Sequence, residues 1–317
     1  MSLDINTKYL KKNAFRVTKE RYKTAVRIRV PGGHLDAKYL DVLRQVAEIY
    51  GNGTVHLTTR QGFEISGIDM DKVSEVNTMV QPIIEGLNIS QISPNSGYPA
   101  AGTRNVSACI GSRVCPFANY DTSALAQRIE QVIFPNDYHV KIALTGCPND
   151  CIKSRMHDYG IIGMNEPQYD ASRCVGCQAC VTNCKKRAAG ALKFENFKVI
   201  RDAEKCIGCG ECVIKCPTGA WTRSDTKLYQ LVIMGRTGKK DPRIAQPFIR
   251  WVDEASIMKI IKNTYAYIDQ FIDKEAPGGK EHVGYIVDRT GYQVFKEWVI
   301  KDVTLNPEAQ VAESINW

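Results

Sequence analysis

Long apolar runs are missing from this sequence: no window of the 317 residues approaches the roughly 18 apolar residues that a membrane-spanning helix requires. The opening residues, MSLDINTKYLKKN, hold no apolar run followed by a small-residue cleavage site, so the expectation is a cytoplasmic protein, not a secreted one. No G-x-G-x-x-G follows a strand pattern and no phosphate loop is present, which leaves any nicotinamide or flavin chemistry to a partner. Cysteine is absent from the first hundred and the last hundred residues.

What cysteine there is lies between Cys109 and Cys216, twelve residues in all. Disulfides are poor candidates, because the cytosol keeps thiols reduced. Metal ligation accounts for them better, and twelve is three sets of four, the number of thiolates that holds one cubane cluster. Hydrophobic content of 44% and charged content of 24% suit a folded globular chain, long enough for two domains or one large domain with an insertion.

The formal charge of +8 suggests a polyanion partner only while every thiol is counted as neutral. Twelve thiolates holding three clusters of core charge +2 bring the sum to roughly +2, and a carboxylate-rich tetrapyrrole takes it lower. The basic excess therefore reads as counter-charge for cofactors and a small anionic substrate, and not as a nucleic-acid groove.

The N-terminal part follows a βαββα pattern: a strand over 24–30, a helix over 36–50, strands over 54–59 and 62–68, and a helix over 71–87. Alternation in AVRIRV and the helical spacing of Leu40, Leu43, Val46, Ala47 and Tyr50 carry this reading, which predicts helices on one face of an antiparallel sheet, an α+β unit. Residues 94–102, rich in Pro, Gly, Ser and Asn, read as a connection. A helix over 122–133, a strand through HVKIALTG ending at Cys147, a strand over 228–234 and helices over 253–273 and 292–301 follow. Ile257, Ile260, Ile261 and Tyr265 fall at helical spacing, as core or subunit contact.

Residues 167–222 form a cysteine-dense insert with an internal repeat. Cys174, Cys177, Cys180 and Cys184 are spaced C-x2-C-x2-C-x3-C, and Cys206, Cys209, Cys212 and Cys216 repeat the spacing, with Pro217 next. This is the two-cluster ferredoxin signature, in which the fourth cysteine of each run ligates the other cluster. Cys216 is thus expected with Cys174, Cys177 and Cys180, and Cys184 with Cys206, Cys209 and Cys212. Structural zinc prefers separated C-x2-C pairs. Lys185 stands where the signature has proline, which bears on the turn and not on ligation.

The remaining cysteines are Cys109 and Cys115, spaced C-x5-C, and Cys147 and Cys151, within TGCPNDC. The pair TRNVSACIGSRVC and TGCPNDC resembles the siroheme and 4Fe-4S signature of the sulfite and nitrite reductases. LTTRQG resembles that family's substrate-side arginine motif, MGRTGKKDPR its late cofactor loop, and the position of the insert its dissimilatory branch. The resemblance covers nearly the whole chain. It implies a ferredoxin-like half-domain over 1–95, a siroheme and 4Fe-4S domain over 96–166 and 223–317, and the inserted ferredoxin domain over 167–222.

By that resemblance Cys109, Cys115, Cys147 and Cys151 hold a third cluster, and Cys151 also bridges to the siroheme iron. Arg60, Arg104 and Lys141 match residues that hold sulfite and supply its protons, with His139 standing where the family has a second lysine. Arg113, Arg236, Lys239, Lys240 and Arg243 are expected partners of the siroheme carboxylates. The implied activity is six-electron reduction of sulfite to sulfide, fed through the insert by iron-sulfur and flavin- or NADH-binding subunits, in a homo- or hetero-oligomer. Nitrite reduction uses the same cofactors and stays open at this point, as does a non-catalytic electron carrier without siroheme.

Overall fold

The computed structural model describes Leu10 and residues 13–88, 104–136, 138–238, 240–276 and 281–317. The connection read at 94–102 and the residue Lys239 lie outside the described residues. Two compact units divide the chain: 1–108, 123–142 and 261–291 make one, and 109–122, 143–260 and 292–317 the other. The first unit is thus completed by two later segments that the βαββα pattern does not foretell.

In the first unit the strands Phe15–Val17, Lys23–Ile28, Phe63–Asp69 and His56–Leu57 lie in that order, each antiparallel to its neighbour. Val26 opposes Ile65 and Ile28 opposes Phe63. The helices Leu40–Ile49 and Val73–Gly86 contribute Leu43, Val46 and Ala47, and Val76, Val80 and Ile83, to a core shared with Phe15, Val26, Ile28, Ile65 and Ile68. These positions recur every three or four residues, so one face of each helix is apolar and packs toward the sheet. The alternating strand and the two helices fall where the pattern predicts them, whereas Phe15–Val17 is an edge strand that the pattern misses.

The unit also carries a buried ion pair between Arg29 and Glu130, whose side chains are 3% and 1% exposed. Arg29 Nε donates to Glu130 Oε1 at 2.8 Å. Burial pushes the Glu130 carboxyl up, opposing the pull of Arg29, which lowers it.

The second unit is built on antiparallel strands. Leu228–Ile233 pairs with Tyr159–Met164 on one side and Gln246–Val252 on the other, and Gln246–Val252 pairs in turn with Gln310–Val311. Ile142–Thr145 follows next to Tyr159–Met164 in the sheet order. Every residue of Tyr159–Met164 is buried. Its glycines reflect close approach, not flexibility: a Cβ on Gly160 would stand 2.6 Å from Val232 Cγ2, and one on Gly163 would stand 2.5 Å from the Gly146 carbonyl.

The insert has its own small core of Cys180, Cys184, Leu192, Val199, Cys212 and Trp221. It opens on the strand Pro167–Tyr169 and closes on Trp221–Arg223, which pair with each other, and Tyr169 stacks on Trp221 at 4.6 Å. Between them lie the helices Ala179–Arg187 and Glu211–Lys215 and a hairpin of Leu192–Glu195 with Lys198–Arg201. The helices Glu254–Phe271 and Tyr292–Val299 match the expected ones, with Ile257, Ile260 and Ile261 in the core, and a further helix, Val283–Thr290, has no counterpart in the sequence pattern. Among the described residues no helix is long and apolar enough to cross a membrane.

Removing one member of the buried pair strands the other in the core. Glu130→Ala is expected to lower the unfolding free energy by about 3–5 kcal/mol in urea titrations, since an uncompensated guanidinium is left behind. Arg44→Ala, at an exposed ion pair, is expected to leave the midpoint nearly unmoved.

Candidate active site and metal centres

The first unit holds a cationic recess lined by Arg27, Arg29, Arg60 and Arg104, with Thr58, Thr59 and Asn105 beside them. Arg60 sits at a tight turn. Thr58 N donates to the Gly62 carbonyl at 2.8 Å, Gln61 N to the Thr58 carbonyl at 3.0 Å, and Gly62 N to Thr58 Oγ1 at 3.0 Å. Gly62 permits the turn to touch the neighbouring strand, since a Cβ there would stand 2.7 Å from the Ile28 carbonyl.

Two amides fix that turn. Asn105 Nδ2 donates to the Arg60 carbonyl at 2.6 Å and to the Val30 carbonyl at 2.9 Å. Gln61 makes a reciprocal pair with Ala108, its Nε2 donating to the carbonyl at 2.7 Å and its Oε1 accepting from the N–H at 2.8 Å. Sequence reasoning misses both amides, although each adjoins an arginine that it finds: Asn105 follows Arg104 and Gln61 follows Arg60.

Arg27 is held by Glu64 at 2.8 Å, and Arg29 by Glu130. Arg104 Nη2 lies 2.8 Å from His139 Nε2 and 3.2 Å from Nδ1. A guanidinium only donates, so in this contact the His139 ring is the acceptor. His139 and Lys141 are half-buried while Val140 and Ile142 between and after them are buried, which is the alternation of a strand. His139 also meets His282 edge to face at 4.9 Å.

In the second unit Cys109, Cys115, Cys147 and Cys151 gather. Cys109 N donates to the Leu144 carbonyl at 3.0 Å and Gly146 N donates to Cys109 Sγ at 3.1 Å, which joins the C-x5-C segment to the strand that ends at Cys147. Burial pushes the Cys147 thiol up to about 11, and the nearby Cys115, Cys151 and Cys109 raise it against the opposing N–H of Asn149. A free thiol in this position stays protonated, and only a metal makes it a thiolate at neutral pH.

Two glycines allow the approach. A Cβ on Gly146 would stand 2.5 Å from Ala118 Cβ, and Gly111, at φ +64°, faces Thr122 Oγ1 at 2.5 Å from its Cβ position. Beyond Cys147, Asp150 Oδ1 accepts from Ser154 N at 2.6 Å and curls the loop that carries Cys151.

The insert shows the same convergence twice. One cavity is lined by Cys184 together with Cys206, Cys209 and Cys212. Burial raises the Cys209 thiol, with Cys206 and Cys184 adding to it, and Cys212 is pushed up to about 12, again chiefly by burial. In the other half, burial raises Cys180 and Cys216 adds to it. Burial also raises Cys216 itself, yet the Thr218 hydroxyl and the N–H groups of Trp221, Thr218 and Ala220 outweigh it and hold this thiol below its ordinary range. The fourth cysteine of each run therefore faces the opposite run.

Among the described residues no group of three or more histidines, cysteines or carboxylates converges tightly enough for a single ion. A cubane takes four thiolates, each on its own iron. The sulfur-only donor sets fit iron-sulfur clusters.

The loop after Ile233 is not an open solvated turn. Arg236 and Arg243 exchange backbone hydrogen bonds of 2.9 and 2.8 Å, Arg236 Nε donates to the Asp241 carbonyl at 2.6 Å, and Arg243 Nε to the Met234 carbonyl at 2.9 Å. Arg243 also lies 4.1 Å from the Trp317 ring centroid. Lys240 is exposed on the same loop. Arg113 pairs with Asp121 at 3.2 Å.

Two family models match this chain. Residues 16–82 match the nitrite/sulfite reductase ferredoxin-like half domain, and residues 100–306 match the nitrite and sulphite reductase 4Fe-4S domain. The chain belongs to the nitrite and sulfite reductase family. Within this family it is 44% identical, over its whole length and 95% of the relative, to an anaerobic sulfite reductase subunit of Salmonella typhimurium. It is 31% identical, over 86% of its length and 42% of the relative, to the coenzyme F420-dependent sulfite reductase of Methanocaldococcus jannaschii. A crystal structure of dissimilatory sulfite reductase I shares the fold, with a TM-score of 0.68 over 94% of this chain and 72% of that one at 17% identity.

Two substitutions test the metal centres. Cys184→Ser is expected to remove about four irons per chain, from the centre of Cys206, Cys209 and Cys212, leaving the signal of the Cys174 run in place, as read by iron and acid-labile sulfide counts with EPR. Gly146→Ala is expected to displace the Cys147 loop from Ala118 and to lower the same counts while the insert's own centres persist.

Proposed function

We propose that this chain is the catalytic subunit of a sulfite reductase, carrying siroheme and three 4Fe-4S clusters. The observation that carries the reading is the full-length likeness to a protein named as a sulfite reductase subunit, and the gathering of Cys109, Cys115, Cys147 and Cys151 supports it. The overall change is SO3(2−) + 6 e− + 8 H+ → H2S + 3 H2O. Such a reaction asks the protein for an anion site, a supply of protons and a supply of single electrons.

A siroheme, when bound, supplies an open iron position for the sulfur and a path for electrons. Cys109, Cys115, Cys147 and Cys151 would hold the third cluster, Cys151 would also serve the siroheme, and Arg113, Arg236, Lys239, Lys240 and Arg243 would hold the carboxylates of the macrocycle. The closed loop carrying Arg236 and Arg243 supports this, because side chains fixed through their Nε atoms present the rest of the guanidinium in a set direction.

Arg60 and Arg104 hold the anion, Arg60 on its rigid turn and Arg104 against His139. Negative charge grows on the departing oxygens, and fixed cations stabilise it more than they stabilise bound sulfite. Lys141 donates protons. His139, whose ring lies beside Arg104, is assigned as the second proton donor.

Single electrons come from iron-sulfur and flavin- or NADH-binding partner subunits, and the insert receives them. By role the chain divides into the half-domain 1–95, the siroheme and cluster domain 96–166 with 223–317, and the insert 167–222. Twelve cysteines, none of them in a disulfide, suit the reducing cytoplasm.

The anaerobically purified protein is expected to show siroheme absorption bands and to reduce sulfite with reduced methyl viologen but not with NADH alone. Its kcat/KM for sulfite is expected to exceed that for nitrite, and the reverse order sinks the assignment of substrate. Clusters without siroheme bands make the chain an electron carrier. Arg104→Leu is expected to lower kcat/KM for sulfite by about 10²–10³-fold with siroheme content unchanged.

A further inference from the structure

The two runs of the insert match closely in sequence, CVGCQAC against CIGCGEC, yet their surroundings differ. Gly176 and Gly208 occupy the same place in each, directly before the second cysteine of the run. A Cβ on Gly176 would meet only Phe194 of the insert's own hairpin, at 3.5 Å or more. A Cβ on Gly208 would stand 2.9 Å from Met164 Cβ and 3.0 Å from the Trp251 ring, both on central strands of the large sheet. Val175 is 68% exposed and its counterpart Ile207 is 38% exposed.

Hydrogen bonds follow the same division. The Gly208 carbonyl accepts from Asn165 N at 2.8 Å and from Asn119 Nδ2 at 3.5 Å, and the Cys206 carbonyl accepts from Arg250 Nη2 at 2.8 Å. Asn119 stands four residues past Cys115. Its own N–H donates to the carbonyl of Gly146 at 2.8 Å, directly before Cys147, so one buried residue touches both stretches of the third cysteine set and the second run of the insert.

Arg223 makes a second link. At the exit of the insert, its Nη2 donates at 2.7 Å to the carbonyl of Pro116, the residue after Cys115. The Cβ position of Gly210, directly after Cys209, lies 3.5 Å from Asn119 Oδ1 and 3.6 Å from Arg223 Nε. All of these residues belong to the second unit.

We propose that the insert has a direction: electrons enter at the run Cys174–Cys180, exposed at Val175 and Cys177, and leave at the run Cys206–Cys212. Asn119 and Arg223 are the positioning residues that hold the exit run against the third cysteine set. This rests on the reading of three clusters made above. In the step between them one electron leaves the centre of Cys206, Cys209, Cys212 and Cys184, which is oxidised by one, and the centre of Cys109, Cys115, Cys147 and Cys151 is reduced by one. No bond is made or broken and no proton moves at Asn119 or Arg223. Electron tunnelling weakens steeply with distance and with gaps in the intervening atoms, so loosening these hydrogen bonds slows the transfer without changing what is bound.

The test is freeze-quench EPR of the anaerobic holoprotein mixed with a reduced two-cluster ferredoxin, a donor too bulky to enter a small-anion site. In Asn119→Ala and in Arg223→Ala, iron, sulfide and siroheme contents and the reduction rate of the insert's centres are expected to match the unaltered protein. Reduction of the third centre is expected to slow several-fold, and Arg223→Lys, which still reaches a carbonyl, is expected to restore most of the rate. Unchanged reduction of the third centre in both alanine variants, or its reduction ahead of the insert's centres in the unaltered protein, overturns the direction while leaving the proposed activity standing. Absence of a third centre from the unaltered protein overturns both.

Discussion

The contact between Cys109 and the strand that ends at Cys147 is the one on which the rest depends. Two cysteine pairs separated by more than thirty residues meet because Cys109 N bonds the Leu144 carbonyl and Gly146 N bonds Cys109 Sγ. The approach leaves no room for side chains at Gly146 or, one strand away, at Gly163, whose Cβ position is filled by the Gly146 carbonyl. Backbone closeness here therefore requires glycine on both sides. The same segment then places Asn119 against the insert, so a single packing arrangement sets both the third cysteine set and its neighbour.

Bringing thiols together under cover is unfavourable for the bare chain. Burial raises Cys147, Cys209 and Cys212, and each neighbouring thiol adds to the effect, so the empty set holds its protons. A metal that takes the thiolate form would reverse the balance, its binding energy becoming folding energy. Cys216 differs because N–H groups and a hydroxyl surround its sulfur and hold its thiol below the ordinary range in spite of burial. The insert's small core includes cysteines themselves, whereas the apolar cluster of the first unit holds none.

Much of this is legible in the residues and some is not. Strong helical spacing locates Leu40–Ile49 and Val73–Gly86, and the helix Thr122–Ile133 begins and ends where its sequence predicts. The doubled cysteine spacing is the signature from which a crossed pairing is expected, and Cys184 does line a cavity with Cys206, Cys209 and Cys212. Tyr159–Met164 is hidden from such reasoning: buried on both faces, it lacks the alternation that betrays a strand, and its two glycines imitate a turn. The short helix Val283–Thr290 offers too few turns for a period to stand out. That segments 123–142 and 261–291 complete the first unit is a matter of long-range packing, which no local pattern carries. Gln61 and Asn105 escape because nothing in an amide's sequence position says which carbonyl it will reach.

The positive charge of the chain is likewise resolved by position. Glu64 accepts from Arg27 and also meets Arg16, and Glu130 neutralises Arg29, so two of the four arginines around the first unit's recess are pinned by carboxylates. Those pairs stiffen the wall. The Arg60 carbonyl accepts from Asn105, and the Arg104 guanidinium lies against the His139 ring. Four guanidiniums thus surround a small concave volume in which Glu64 and Glu130 each answer one of them. A field confined in this way favours a compact anion over an extended polyanion, whose charges a concave wall cannot all reach.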